Sequence, residues 1–195
     1  MSDTENLALV ADIGGTNARF ALADIRSGMP RLFQHETLPT SDYASLPHAA
    51  EYYLTKRGVK PTLASFAVAC PVAGDEIRLT NRAWAFSQRE LQASLGLSQQ
   101  LVINDFGAAA RAALVIGDED RVILHGSPAS QRMGPITVIG PGTGLGVALL
   151  VGDDQQGWHV VATEGGHVSF APQVEEEQHI PERVAARHPG PCSHT

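Results

Sequence analysis

Leu7-Ala8-Leu9-Val10-Ala11-Asp12-Ile13-Gly14-Gly15-Thr16-Asn17-Ala18-Arg19-Phe20-Ala21-Leu22-Ala23-Asp24-Ile25 holds two apolar runs parted by an acidic residue and a glycine pair. The first run, 7–11, is too short for a helix and stops at Asp12, as a buried strand does. From Arg19 onward Phe20 and Leu22 alternate with Ala21 and Ala23, the period of a second strand returning beside the first. Glycines in the turn between them let backbone N–H groups converge on an anion, and Thr16 and Asn17 add side chains able to hydrogen-bond phosphate oxygens. Asp12, leaving the first strand, is placed to hold Mg2+ through water. An ordinary Gly-Gly hairpin with Asp and Asn as turn residues fits the same letters. A Walker A loop is excluded, because no G-x-x-x-x-G-K-[ST] occurs.

Outward from this hairpin, 31–38 supplies a third strand. Leu46, Ala49, Ala50, Tyr53 and Leu54 recur at helical spacing over 45–57, before Gly58 as a C-terminal stop. A strand is expected over 63–72, and Ser87-Gln88-Arg89-Glu90 is a capping box that opens a helix ended by Gly96. Residues 101–103 form another strand, with a small-residue helix over 106–115 after it. The order β-β-β-α-β-α-β-α predicts a layered α/β domain over 1–115. Past Gly117 the pattern restarts with strands at 136–139, 146–151 and 158–163. Residues 116–195 therefore read as the start of a second, larger α/β domain, one that is incomplete.

Three further segments carry chemistry. Gly140-Pro141-Gly142-Thr143-Gly144-Leu145-Gly146 is not a dinucleotide fingerprint, which needs G-x-G-x-x-G opening a helix; here β-like residues follow. A second glycine-rich hairpin with a central Thr could grip a triphosphate, and a flexible hairpin is the plain alternative. Asn104-Asp105 stands at the carboxyl end of a strand, where ligands collect in open α/β sheets. A carboxylate there can take the proton of an attacking hydroxyl; equally, Asp105 could be the N-cap of the next helix. In Glu164-Gly165-Gly166-His167, two polar side chains parted by glycines can grip neighbouring hydroxyls, or form a surface pair.

Composition narrows the classes. Hydrophobic residues make up 43% and charged residues 18% of 195, which favours a core over disorder. The net charge of −7 repels phosphate backbones, so nucleic acid is not an expected partner. Cys70 and Cys192 lie far apart with no C-x-x-C spacing, which fits a reducing cytosol. The first six residues are acidic and polar, and the apolar run after them is broken at Asp12, so no membrane span and a cytoplasmic location are expected.

Six segments in order resemble the bacterial ATP-dependent glucokinase family, within the hexokinase and actin-like ATPase superfamily. They are DIGGTNARFAL (12–22), ACPVAGD (69–75), LTNRAWAFS (79–87), INDF (103–106), GPGTGLGVA (140–148) and EGGHVSFAP (164–172). The resemblance implies an actin-like (ribonuclease H-like) α/β fold with a mixed sheet. It implies phosphoryl transfer from ATP to the 6-hydroxyl of glucose, with ATP and Mg2+ as cofactors. Ala11, Asp12, Ile13, Gly14, Gly15, Thr16 and Asn17 would face the nucleotide, with Asp12 at the metal; Gly142, Thr143 and Gly144 would meet the phosphates from the other domain. Asp105 would be the general base, and Asn104, Asp105, Glu164 and His167 would bind the sugar. A homodimer is left open. The related family of sugar kinases and repressors carries a zinc-binding Cys cluster that is not in this sequence. Family members also continue past Pro172 through a further sugar-binding glutamate and an adenosine-binding glycine segment; neither is assigned here, and the chain is expected to be C-terminally short.

Overall fold

In this computed structural model the described residues are 6–79, 84–126, 134–141, 144–161, 163, 165–169 and 171–187. They fall into two compact units, 1–108 and 109–195.

In the first unit, β1 (Leu7–Ile13), β2 (Asn17–Asp24) and β3 (Arg31–Pro39) form an antiparallel meander. Helix α1 (Leu46–Arg57) then leads to β4 (Leu63–Val68), and a short hairpin, β5 (Glu76–Arg78) and β6 (Ala85–Ser87), leads to α2 (Gln88–Ser94). The unit ends with β7 (Gln99–Asn104), after which α3 (Asp105–Ala112) begins. The five-stranded sheet runs β3-β2-β1-β4-β7, with β1, β4 and β7 parallel to one another. It is the mixed sheet of the expected α/β fold. Its register places Ile13 opposite Val68, and Val68 opposite Asn104, so three strands end level with one another.

The apolar stripe on α1 explains its docking. Leu46, Ala49, Ala50, Tyr53 and Leu54 are all buried, the i, i+3, i+4, i+7, i+8 pattern of a core-facing helix. They meet Leu9, Ile13, Phe20 and Phe66, which are fully or almost fully buried on the strands. Tyr53 stacks on Phe20 with ring centroids 5.2 Å apart, and its hydroxyl donates to the Gln34 carbonyl at 2.8 Å. That carbonyl belongs to a bulge where β2–β3 pairing slips between Phe20 and Leu22 and Gln34 takes φ 55°. Ser45 caps α1 through the His48 N–H at 3.4 Å, and Gly58 closes it in the left-handed region at φ 64°.

Several expected boundaries move. The strand expected over 63–72 stops at Val68: the Ala69 N–H makes the last bond of the β1–β4 ladder, to the Ile13 carbonyl at 3.0 Å, the Cys70 N–H then folds back onto the Val68 carbonyl at 2.8 Å, and Pro71 has no N–H to continue a ladder. The helix expected over 106–115 starts at Asp105 and ends at Ala112. The β5–β6 hairpin was not expected, since three-residue strands are too short to show a period.

In the second unit, β8 (Ile136–Pro141), β9 (Leu145–Asp153) and β10 (Gly157–Val161) form an antiparallel sheet of order β10-β9-β8 around Ala148 and Leu150. Gly152 sits at φ 136°, where an added Cβ would lie 2.1 Å from the Gly157 carbonyl, so this hairpin end admits only glycine. Helix α4 (Glu175–Arg187) opens on three glutamates, which its N-terminal dipole favours. Among the described residues no helix is long and apolar enough to cross a membrane.

Candidate active site

The level ends of β1, β4 and β7 bring two of the sequence-derived segments together. Asp12 closes β1 next to the turn of Gly14, Gly15 and Thr16, and Asn104-Asp105 closes β7 two strands away. The Gly14 N–H donates to the Asn17 carbonyl at 2.9 Å, which ties the turn across its base. Thr40, at 1% exposure, supplies the support that sequence reasoning missed. Its hydroxyl donates to the Gly15 and Thr16 carbonyls at 2.9 and 3.1 Å, and its N–H to the Thr16 carbonyl at 2.9 Å. Because C=O and N–H point opposite ways in a trans peptide, carbonyls held toward Thr40 turn the Thr16 and Asn17 N–H groups away from it. That is the polarity an anion nest needs. No sequence period marks Thr40, since it follows the end of β3 in a short 3-10 turn.

Nothing in the local fold demands glycine at position 14. A Cβ there would meet only the Asn17 carbonyl at an ordinary 3.5 Å. Asp12 is half-exposed and faces Arg19 directly across the β1–β2 ladder, with the guanidinium donating at 2.7 Å.

Asp105 is the electrostatically distinctive member. Burial pushes its carboxyl above the ordinary 3.8, the Phe106 N–H at 2.8 Å pulls it back, and the negative charge of Asp12 adds a smaller upward push. The buried Cys70 thiol is likewise raised by burial and by Asp105. The capping geometry differs from the alternative weighed for Asp105: Asn104 Oδ1 accepts from the Phe106 and Gly107 N–H groups at 3.0 and 3.2 Å, so Asn104 holds the first turn of α3. Its Nδ2 donates to the Cys70 carbonyl at 3.2 Å, across from β7 to the loop after β4.

In the second unit, Gly144 stands directly before β9, and Gly165, Gly166 and His167 form a 3-10 turn against that strand. A Cβ on Gly166 would fall 1.7 Å from the Leu145 carbonyl, so this glycine is required by packing rather than by approach to a ligand. His167 is exposed. Gly142, Thr143 and Glu164 lie outside the described residues, as do 80–83 of the LTNRAWAFS segment.

The site fits a magnesium–triphosphate group in its donor chemistry. It combines a hard carboxylate oxygen at Asp12 with a turn whose N–H polarity suits phosphate, and Mg2+ takes one or two carboxylates plus phosphate oxygens rather than a protein cage.

Comparison with known proteins agrees over nearly the whole chain. The glucokinase family model matches residues 9–193. A glucokinase of Yersinia pestis is 45% identical over 173 residues, covering 89% of this chain and 52% of that protein; one of Yersinia pseudotuberculosis matches equally. The chain thus spans about half the length of these curated relatives. The crystal structure of a glucokinase from an Antarctic psychrotroph superposes with TM-score 0.81 at 37% identity, covering 96% of this chain and 59% of that one. A ROK-family glucokinase of Streptomyces griseus, in complex with glucose and AMPPNP, shares the fold at TM-score 0.58 and 19% identity over 94% of this chain and 62% of that one. With the motifs in order, the strand ends aligned and the family model matched from β1 to beyond α4, the chain belongs to the glucokinase family.

Proposed function

We propose that this chain carries the sugar-side and part of the phosphate-side machinery of a cytoplasmic kinase that phosphorylates the 6-hydroxyl of glucose at the expense of ATP. The observation that carries the reading is the Asp105 carboxyl, raised by burial and standing level with the Asp12 turn at the ends of parallel strands. A base works best when its pKa approaches the operating pH, and burial moves Asp105 in that direction. Asp105 takes the proton from the sugar O6; O6 forms the new bond to the γ-phosphorus, and the bond to the departing ADP oxygen breaks. Mg2+, held with the triphosphate near Asp12, would neutralise charge on the transferring group. Gly15, Thr16 and Asn17 present N–H and side-chain donors to phosphate oxygens, with Gly14, whose own N–H ties the turn to the Asn17 carbonyl, and beside Ala11 and Ile13 of the strand. Gly142, Thr143 and Gly144 belong to a second phosphate loop, and Glu164 and His167, with Asn104, complete the grip on sugar hydroxyls. One second reading, that the chain binds sugar without turnover, goes with its spanning about half the length of the relatives it matches.

Calorimetric titration with glucose, followed by a coupled assay for glucose 6-phosphate with Mg-ATP, tests both. Binding with turnover supports the kinase; binding alone supports the second reading. Asp105→Ala should lose turnover and keep most ATP binding, and full activity in that variant would overturn the assignment of the base.

A further inference from the structure

The turn of Gly165, Gly166 and His167 meets β9 through backbone, with no side chain of its own glycines to hold the two apart. Gly166 is buried, and neither it nor Gly165 takes a φ in the left-handed region, so space rather than backbone conformation calls for glycine. A Cβ on Gly165 would come 3.1 Å from the Val147 side chain, and one on Gly166 would fall 1.7 Å from the Leu145 carbonyl oxygen. Leu145 and Val147 are two apart and share one face of β9. The Gly165 N–H donates to Thr163 Oγ1 at 2.8 Å, which pins the start of the turn just past the end of β10.

The place of contact on β9 is what gives it a consequence. Leu145 pairs with Pro141 across the β8–β9 hairpin, so this pair closes the second glycine-rich loop, residues 142–144. The turn that carries His167 therefore rests on the stem of that loop. Since Cβ atoms essentially never come within 3.0 Å of another group, Gly166→Ala would have to part turn and stem by about 1.3 Å. Two elements held this closely lose their freedom together. A ligand that orders one has already ordered the other, a second ligand then meets a smaller entropy cost, and the coupling is reciprocal.

We infer that Gly166 is a positioning residue: its backbone contact with Leu145 joins the His167 turn to the stem of the 142–144 loop, so that a sugar held at the turn also orders the loop that meets phosphate. The sugar at His167 and the phosphate at Gly142, Thr143 and Gly144 rest on the proposed function; the joining of turn and stem does not. The glycine pair of Glu164-Gly165-Gly166-His167 thus links the two binding elements of the second unit instead of touching a ligand itself.

The test uses NMR on the 195-residue chain with its glycine nitrogens labelled. Without ligand, Gly146 in the stem and Gly165 and Gly166 in the turn should all give amide order parameters near about 0.85, the value of rigid backbone. A value below about 0.6, that of flexible backbone, at any of the three refutes the joining, whether or not sugar binds. Saturating glucose should then shift the amide resonances of Gly144 and Gly146 along with those of the turn. In Gly166→Ala, saturating glucose should still shift Gly165 but leave Gly144 and Gly146 unmoved. A glycine that merely filled space would change the melting temperature in Gly166→Ala and leave that response as in the parent, so an equal response in both proteins overturns the inference. Where Gly166→Ala does not fold, the parent decides: glucose that shifts the turn without shifting Gly144 and Gly146 rules the coupling out. Glucose that does not bind at all sinks the kinase reading instead and leaves the order parameters to judge the contact.

Discussion

Thr40→Val removes one hydroxyl and almost no volume, so it isolates the support beneath the Gly15–Thr16 turn. The hydroxyl is buried and donates to both turn carbonyls, while the Thr40 N–H bond to the Thr16 carbonyl survives the substitution. The Gly15 carbonyl then loses this donor in a place where water is scarce. A lost hydrogen bond costs about 0.5–1.5 kcal/mol net, and a buried polar group left unmet about 1–3 kcal/mol. The sum expected is about 1–3 kcal/mol, or roughly 2–12 °C in melting temperature for a chain of this size. Differential scanning calorimetry on Thr40→Val and Thr40→Ser reads it directly. The serine variant keeps the donor and should recover most of the loss, short of about 1 kcal/mol for the missing methyl. Calorimetric titration should show weaker Mg-ATP binding in the valine variant, with glucose binding little changed, because the proposed function assigns the turn to phosphate. A valine variant that melts within about 1 °C of the parent, a shift below 1 kcal/mol, would refute the account of the turn.

Asp105→Asn should cut turnover by about 10²–10⁴-fold and stabilise the folded chain near neutral pH. The sign follows from burial: the folded carboxyl binds its proton more tightly than the unfolded one, so stability falls as pH rises from the ordinary 3.8 through the raised folded value; melting curves that rise over that interval contradict it. Glu36 and Asp75 behave oppositely. Lys56 hydrogen-bonds Glu36 and Ser87 hydrogen-bonds Asp75, holding both below their ordinary values, so their stabilisation is present above those values and fades as pH falls through the lowered ones; acid unfolding followed by fluorescence of the buried Trp84 should move to higher pH in Glu36→Gln. Gly58→Ala forces a Cβ into φ 64° and should cost about 1–2 kcal/mol, while Ser45→Ala at the other end of α1 should cost about 1 kcal/mol; urea midpoints read both, and a neutral Gly58→Ala would mean that the helix end relaxes. Arg19→Met should leave stability within about 1 kcal/mol, since its pair with Asp12 is exposed, and any difference from the parent should vanish in 1 M salt.

Much of the fold was legible because periodicity and turn chemistry are local. The apolar run into Asp12, the alternation after Arg19, the stripe from Leu46 to Leu54 and the Ser45 and Gly58 ends of α1 each follow from residues a few positions apart. The α/β class and the family followed from the order of such segments. What the sequence left open were questions of which groups meet across large separations. That β1, β4 and β7 end level is a matter of register, and no local pattern announces register between parallel strands. Thr40 lies 24–25 residues from the carbonyls it holds, and the bulged Gln34 carbonyl is caught by Tyr53 from a separate helix. At Asn104-Asp105 the letters offered Asp105 as base or as cap, and only the packed chain, with the Cys70 carbonyl brought alongside, assigns the cap to Asn104 and burial to Asp105. Short-range geometry is written in neighbouring residues, whereas desolvation and long-range hydrogen bonds exist only once the chain has closed on itself.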